Sequence, residues 1–286
     1  SLGQPERVRT DKKGVIGRFS PVPTGLLPVC VDPKSSRSKM WRSPPSTVWI
    51  YLMQENYLTA LPVFNEVLSV EPVLDEVVRF SPHVLVVDDG STDGTSEKLL
   101  ARDDILLASH DLNQGYGAAL RTAFHYAIQH EFEYLITIDC DGQHEPQRIQ
   151  QFVTACQNTG ADIVSGSRYL KPFESDTPPP QQRRQINHAI TQTLNEKLGL
   201  GLTDAFCGFK AYRVESLRRL DLRESGYAMP LELWVQAACH NLSVVEVAVP
   251  LIYLDESRSF GGKLDDAEIR IAYYHEVLNR SFAALP

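Results

Sequence analysis

From about residue 58 onward, short apolar runs and amphipathic stretches alternate along the chain. Residues 58–64 (LTALPVF) form an apolar run that stops at Asn65-Glu66, the pattern of a buried strand meeting a turn. A helix is predicted over 68–79 and a second buried strand over 83–89 (HVLVVDD). The run Gly90-Ser91-Thr92-Asp93-Gly94-Thr95 then combines turn residues with helix-capping ones. A third strand is expected at 105–109 (ILLAS), before a helix over 116–130 in which Ala119, Ala123 and Ala127 recur every four residues. Residues 134–138 (YLITI) predict a fourth strand, 146–158 a helix, and 162–167 (DIVSGS) a fifth strand.

Strands alternating with helices at this spacing imply a mostly parallel sheet covered on both faces, with ligands bound at the carboxyl ends of the strands. The second half is less regular. A loop is expected at 170–184, a helix at 185–198, a strand or hairpin at 204–213, strand character at 241–254, a mobile loop at 257–263 and a helix at 265–282. Residues 1–57 read as a basic extension rich in Pro and Ser, anchored to the body by the apolar stretch 48–53, and 58–286 as one domain.

Charge sharpens this division. The net charge of −8 is uneven: residues 1–45 hold nine Lys/Arg against three Asp/Glu, and the remainder 19 against 33. An acidic body argues against nucleic-acid binding. No stretch approaches the ~18 apolar residues of a membrane span, and no signal-peptide pattern opens the chain. Contact with a membrane would need the basic arm or the helix near Ile269 to Phe282 to lie on the bilayer. The five cysteines are scattered without metal spacing and read as reduced thiols of a cytoplasmic protein. Nothing in the pattern specifies an oligomeric state.

The candidate chemistry lies where YLITI runs into Asp139-Cys140-Asp141-Gly142-Gln143-His144. In extended backbone, residues two apart face the same side, so Asp139, Asp141 and Gln143 would converge. Two carboxylates and an amide oxygen suit Mg²⁺ or Mn²⁺, and such an ion most often holds a diphosphate. An Asp-x-Asp arises by chance about once in a chain of this composition. The pair gains weight because Asp88-Asp89 ends another predicted strand of the same sheet. Cys140 would point into the core, and His144 reads as turn surface. Asn113-Gln114-Gly115-Tyr116-Gly117 lacks the third glycine of a dinucleotide fingerprint, Gly261-Gly262-Lys263 lacks the spacing of a phosphate-cradling loop, and no serine sits in a nucleophile elbow.

Four motifs then fall in order: PVFNE (62–66), VVDDGSTDGT (86–95), NQGYGAA (113–119) and DCDGQH (139–144). Together they resemble the nucleotide-sugar half of a family 2 glycosyltransferase. GSRY (166–169), TDAFCGFKAYR (203–213), Glu232 and the Arg258 to Lys263 loop are similar to the dolichyl-phosphate mannosyltransferase branch and its polyprenyl-phosphate relatives. The resemblance implies a GT-A-type three-layer α/β/α fold, with a nucleotide-sugar-binding N-terminal half and an acceptor-binding C-terminal half. It implies inverting, metal-dependent transfer from a GDP- or UDP-sugar to a polyprenyl phosphate, by a protein in the cytoplasm or peripheral on the cytosolic membrane face. Pro62, Phe64, Glu66, Asp89, Gly117, Asp139 and Arg168 would bind donor. Asp139, Asp141 and Gln143 would hold the metal, and Asp141, Asp204, Glu232, Arg258 and Lys263 would serve catalysis. Asp204 and Glu232 are the candidate bases if the acceptor is a hydroxyl. A saccharide acceptor and a non-catalytic nucleotide-sugar-binding role are the alternatives.

Overall fold

A computed structural model describes residues 56–177, 179–253 and 262–285. Its sheet is built from β1 (Tyr57–Val63), β2 (Val84–Asp88), β3 (Leu106–Ser109), β4 (Tyr134–Thr137), β5 (Ile163–Ser167), β6 (Lys210–Arg213) and β7 (Val244–Ala248). The strand order is β3-β2-β1-β4-β6-β5-β7. β1, β2, β3 and β4 pair in parallel, as do β5 and β7, whereas β6 runs antiparallel to both β4 and β5.

The central strands read as continuous apolar runs because both faces are covered. Alternate residues of β1 go to opposite sides: Leu58 and Ala60 join one core, and Tyr57, Leu61 and Val63 the other. The second core is closed by α1 (Val70–Phe80), α2 (Thr95–Leu100) and α4 (Ile149–Thr159). α1 buries Val70, Leu74 and Val77, a spacing that keeps one face on the sheet. Each such side chain contributes about 1.5–3 kcal/mol when fully buried. The first core is closed by α3 (Tyr116–Gln129), α5 (Gln181–Leu198), the short α6 (Val214–Leu217), α7 (Met229–Cys239) and α8 (Ala267–Ala283). Ala119, Ala123 and Ala127 form the buried stripe of α3, as their spacing predicts.

The sequence pattern missed α7. Met229 through Val235 are all buried, Glu232 among them, so the segment has no exposed polar face to mark an amphipathic period. The expected strand or hairpin at 204–213 is a strand only from Lys210; the residues before it form a turn. α8 turns Tyr274, Val277 and Leu278 into the core and exposes Glu268, His275, Glu276, Asn279 and Arg280. Its outward face is mostly polar, with Ile269 and Ala272 also exposed near its start. No described helix is long and apolar enough to cross a membrane. The apolar stretch 48–53, Arg258 and the Lys263 side chain lie outside the described residues.

Candidate active site

β1, β2 and β4 are parallel, so their carboxyl ends open on one edge of the sheet. The loops leaving β1 and β2 interlock. Asn65, in the left-handed region at φ 54°, donates its N–H to Ser91 Oγ at 2.9 Å and accepts from the Thr92 N–H at 2.8 Å. The Glu66 N–H donates to Thr95 Oγ1 at 2.9 Å, and the Val67 N–H to Asp93 Oδ2 at 3.1 Å. Asp88 is consumed locally, accepting from the Ser91 N–H at 3.1 Å and the Ser96 hydroxyl at 2.5 Å. Much of the Asp-Asp-Gly-Ser-Thr-Asp run thus shapes the loop.

Asp89 is buried and fastens the next loop to this one. Its Oδ1 accepts from the Gln114 N–H at 2.9 Å and meets His110 Nδ1 at 2.6 Å, and its Oδ2 accepts from the Gly115 N–H at 2.7 Å. Gly117 is a point of close packing. A Cβ there would lie 2.5 Å from the Glu224 carbonyl oxygen and 2.8 Å from the Met229 Cβ, so this glycine lets the start of α3 close on the 224–226 loop. That packing accounts for the glycine without any ligand.

One cavity of about 430 Å³ collects Pro62, Phe64, Glu66, Asp89, Asp139, Asp141, Gln143 and Arg168. The Tyr116 hydroxyl donates to Asp139 Oδ1 at 3.0 Å, and His144 Nε2 lies 3.4 Å from Oδ2. Gly208 is the floor: a Cβ on it would come within 2.0 Å of Asp139 Oδ2. Burial works to raise the Asp139 carboxyl, but His144, the Tyr116 hydroxyl and the charge of Lys210 outweigh it and hold the group below its ordinary value. Asp141 Oδ1 accepts the Gln143 N–H at 2.9 Å. Cys140 is buried in the second core and also borders the cavity; β4 ends at Thr137, so Asp139 to Asp141 lie in a turn and not in the extended backbone expected for them. Two carboxylates and an amide side chain among the lining residues are of the chemical type that a hard divalent cation takes. Among the described residues no three His, Cys, Asp or Glu side chains gather closely enough to hold a metal by themselves.

Asp204 is fully buried and does not line the cavity. Arg168 grips it twice, Nε to Oδ2 at 2.6 Å and Nη2 to Oδ1 at 2.9 Å. Asn187 Nδ2 and the N–H groups of Phe206 and Arg168 also donate to it, at 2.8, 3.1 and 3.2 Å. Burial opposes its ionisation, yet Arg168 and these donors hold its carboxyl well below the usual range. A carboxylate so committed is no proton acceptor; its geometry is that of a clamp on Arg168. Glu232 likewise faces away from the cavity and accepts the Arg223 and Glu224 N–H groups at 2.9 and 2.7 Å. Both expected bases are corrected to structural carboxylates. Burial pushes the Cys207 thiol up to about 12, so it is not a nucleophile either.

Sequence reasoning missed several of the lining residues. Arg183, Ile186 and Asn187 reach the cavity from α5, Arg270 and Tyr274 from α8, with Phe206, Tyr227, Leu251 and Tyr253 between them. Arg183 and Asn187 are four apart on one helical face, a detectable signal, but the predicted helix began at 185 and left Arg183 in a loop. His144 was set aside as turn surface, although its ring is buried against Asp139.

Residues 59–221 match the family described as Glycosyl transferase family 2. The chain belongs to this family. The glycosyltransferase is 31% identical over 227 residues to the polyprenol monophosphomannose synthase of Mycolicibacterium smegmatis, covering 75% of this chain and 85% of the relative. It is 31% identical over 225 residues to the undecaprenyl-phosphate mannosyltransferase of Micrococcus luteus, covering 75% and 91%. In three dimensions it resembles glucosyl-3-phosphoglycerate synthase from Mycobacterium tuberculosis, solved with Mn²⁺, UDP and glucosyl-3-phosphoglycerate. The TM-score is 0.62 at 18% identity, over 85% of this chain and 86% of that one. Another structure of that synthase, with Mg²⁺ and UDP, aligns at TM-score 0.60 and 17% identity over 85% and 84%. The family and these neighbours identify the fold as the GT-A α/β type.

Proposed function

We propose that this glycosyltransferase moves a sugar from a nucleoside diphosphate sugar onto the phosphate of a polyprenyl, dolichyl-like lipid. The observation that carries this reading is the composition of this cavity. It is lined by Asp139, Asp141 and Gln143 together with Arg168, Arg183 and Arg270 among Ile186, Phe206, Leu251 and Tyr253. Cations set in an apolar and aromatic wall suit an anionic head on an apolar tail. The commitment of Asp204 and Glu232 elsewhere supports the same acceptor. A phosphate is already ionised near neutral pH and needs no base to take a proton, whereas a hydroxyl does. The relatives named as acting on polyprenol and undecaprenyl phosphate agree.

In this reading Pro62, Phe64, Glu66 and Asp89 shape the nucleotide end. Asp139, Asp141 and Gln143 hold Mg²⁺ or Mn²⁺, which when bound neutralises charge on the leaving diphosphate. Arg168, oriented by Asp204, and the α5 and α8 arginines place the acceptor phosphate. A phosphate oxygen then forms a bond to the anomeric carbon as the bond from that carbon to the diphosphate oxygen breaks, and the nucleoside diphosphate leaves with the electron pair. The test is transfer of labelled sugar from a GDP- and UDP-sugar panel with Mn²⁺, with and without polyprenyl phosphate in detergent. Label entering the organic phase only with the lipid, and falling at least ~100-fold in Asp141→Asn, is the expected result. Label passing instead to a phosphate-free saccharide would overturn the acceptor assignment.

A further inference from the structure

β3 ends at Ser109, and the next residue, His110, still bonds to β2: its N–H donates to the Asp88 carbonyl at 2.9 Å. Its ring is buried beside the Asp89 carboxylate. Asp89 lines the cavity, whereas His110 and Thr122 are not among the lining residues. Both Asp89 oxygens accept a backbone N–H, Oδ1 that of Gln114 and Oδ2 that of Gly115. His110 Nδ1, 2.6 Å from Oδ1, therefore carries the hydrogen of their contact. In a neutral imidazole Nε2 is then an acceptor, and it lies 2.9 Å from the Thr122 hydroxyl on α3. That hydroxyl donates to Nε2 and so fixes which ring nitrogen holds the hydrogen. A buried chain from Thr122 through His110 to Asp89 thus joins α3, β3 and β2 at one carboxylate.

A carboxylate has about four acceptor positions. Among the described residues, Oδ1 takes the Gln114 N–H and His110, and Oδ2 takes the Gly115 N–H. The position left over is on Oδ2, and Asp89 borders the cavity. We propose that His110, set by Thr122, is the positioning residue that fixes Asp89 for reading the nucleobase. The proposal rests on the reading of Asp89 as part of the nucleotide end. The two backbone N–H groups come from one loop; His110 is the partner that ties the carboxylate to the sheet and, through Thr122, to α3. An acceptor held in one orientation rewards a ring N–H, which uracil and guanine present on their pairing edge. It penalises the ring nitrogen lone pair that cytosine and adenine present there.

The experiment is calorimetric titration of the full chain with Mn²⁺ and, in turn, UDP, GDP, CDP, ADP and inorganic pyrophosphate. Wild type should bind UDP or GDP at least ~10-fold more tightly than CDP and ADP. His110→Ala should weaken the preferred nucleotide about 10-fold, the scale of one hydrogen bond to a carboxylate. It should narrow the gap to CDP and ADP by the same factor and leave pyrophosphate binding unchanged. His110→Asn, whose amide nitrogen takes the place of Nδ1, should recover most of the loss. Thr122→Val keeps the shape without the hydroxyl, should narrow the gap by a smaller factor, and carries the test should His110→Ala not fold. A gap as wide in Thr122→Val and in each His110 variant that folds as in wild type overturns the role of His110 and leaves the nucleotide end standing. Equal weakening of nucleotide and pyrophosphate does the same, because it marks a general loosening of the site. Wild type that binds UDP, GDP and pyrophosphate equally well removes the nucleotide reading of Asp89 and this inference with it.

Discussion

Asp204 and Arg168 are held together by two short hydrogen bonds, with the carboxylate fully buried and the guanidinium side chain 22% exposed. Removing one charge from such a pair leaves the other uncompensated, a loss of about 3–5 kcal/mol. Asp204→Asn should lose stability on that scale at pH 7 in urea unfolding. The pH dependence has a defined sign. The folded carboxyl lies below its unfolded value near ~4, so its contribution is fully present above that value and fades as pH falls toward the folded one. The gap between wild type and Asp204→Asn should therefore be constant above pH ~4 and narrow below it; a gap widening in acid would contradict the assignment. Gly208→Ala places a methyl group against Asp139 Oδ2. It should abolish Mn²⁺ binding in the presence of nucleotide while the far-ultraviolet circular dichroism stays that of wild type. At this scale Asp139 and Asp141 were legible as carboxylates following a strand, but the reason expected was not the one found: β4 stops at Thr137, so Asp139, Asp141 and Gln143 reach the cavity through a turn and not by period-two alternation. The partners of those residues were not: Tyr116 and His144 reach Asp139 through turns whose path no local pattern encodes.

Elements meet at this site through glycine. The start of α3 lies against the loop before α7 so closely that the Ala118 N–H donates to the Ser225 carbonyl at 3.1 Å, and Gly115 and Gly117 have no room for a side chain. Glu232 holds that loop by two backbone N–H groups, and Glu224 by the Tyr273 hydroxyl at 2.6 Å and the Arg280 guanidinium. Gly117→Ala should lower stability by about 1–3 kcal/mol, the cost of overpacking a tight contact, measured by denaturant midpoint. A change within a few tenths would show that the loop yields easily. The amphipathic helices and apolar strands of the first half were readable because periodicity and turn residues agree there. α7 was invisible because burial on every side erases its period, and the start of α5 was displaced because the proline-rich stretch before it reads as loop.

For the whole molecule, the alternation of strands and helices foretold a covered, mostly parallel sheet, but strand order is a non-local property and the reversed β6 was not foreseen. A ligand bridging β1, β2 and β4 should stabilise the sheet as one body. At 100 times its dissociation constant a ligand adds about 2.7 kcal/mol, and a domain of this size gains about 2–4 °C per kcal/mol. Nucleotide with Mn²⁺ should raise the melting temperature by about 5–10 °C, and a chelator should reverse most of the gain. A shift unaffected by chelation would separate nucleotide binding from the metal. The reversed strand has one more effect, on the order of biosynthesis. β4 and β5 are consecutive in the chain yet do not pair; β6 alone joins the halves of the sheet. A nascent chain that has emerged only through β5 holds two fragments with open edges, each a template for wrong pairing. The seam closes when Lys210–Arg213 leaves the ribosome. Release of the chain short of that point should yield aggregate rather than a smaller soluble domain.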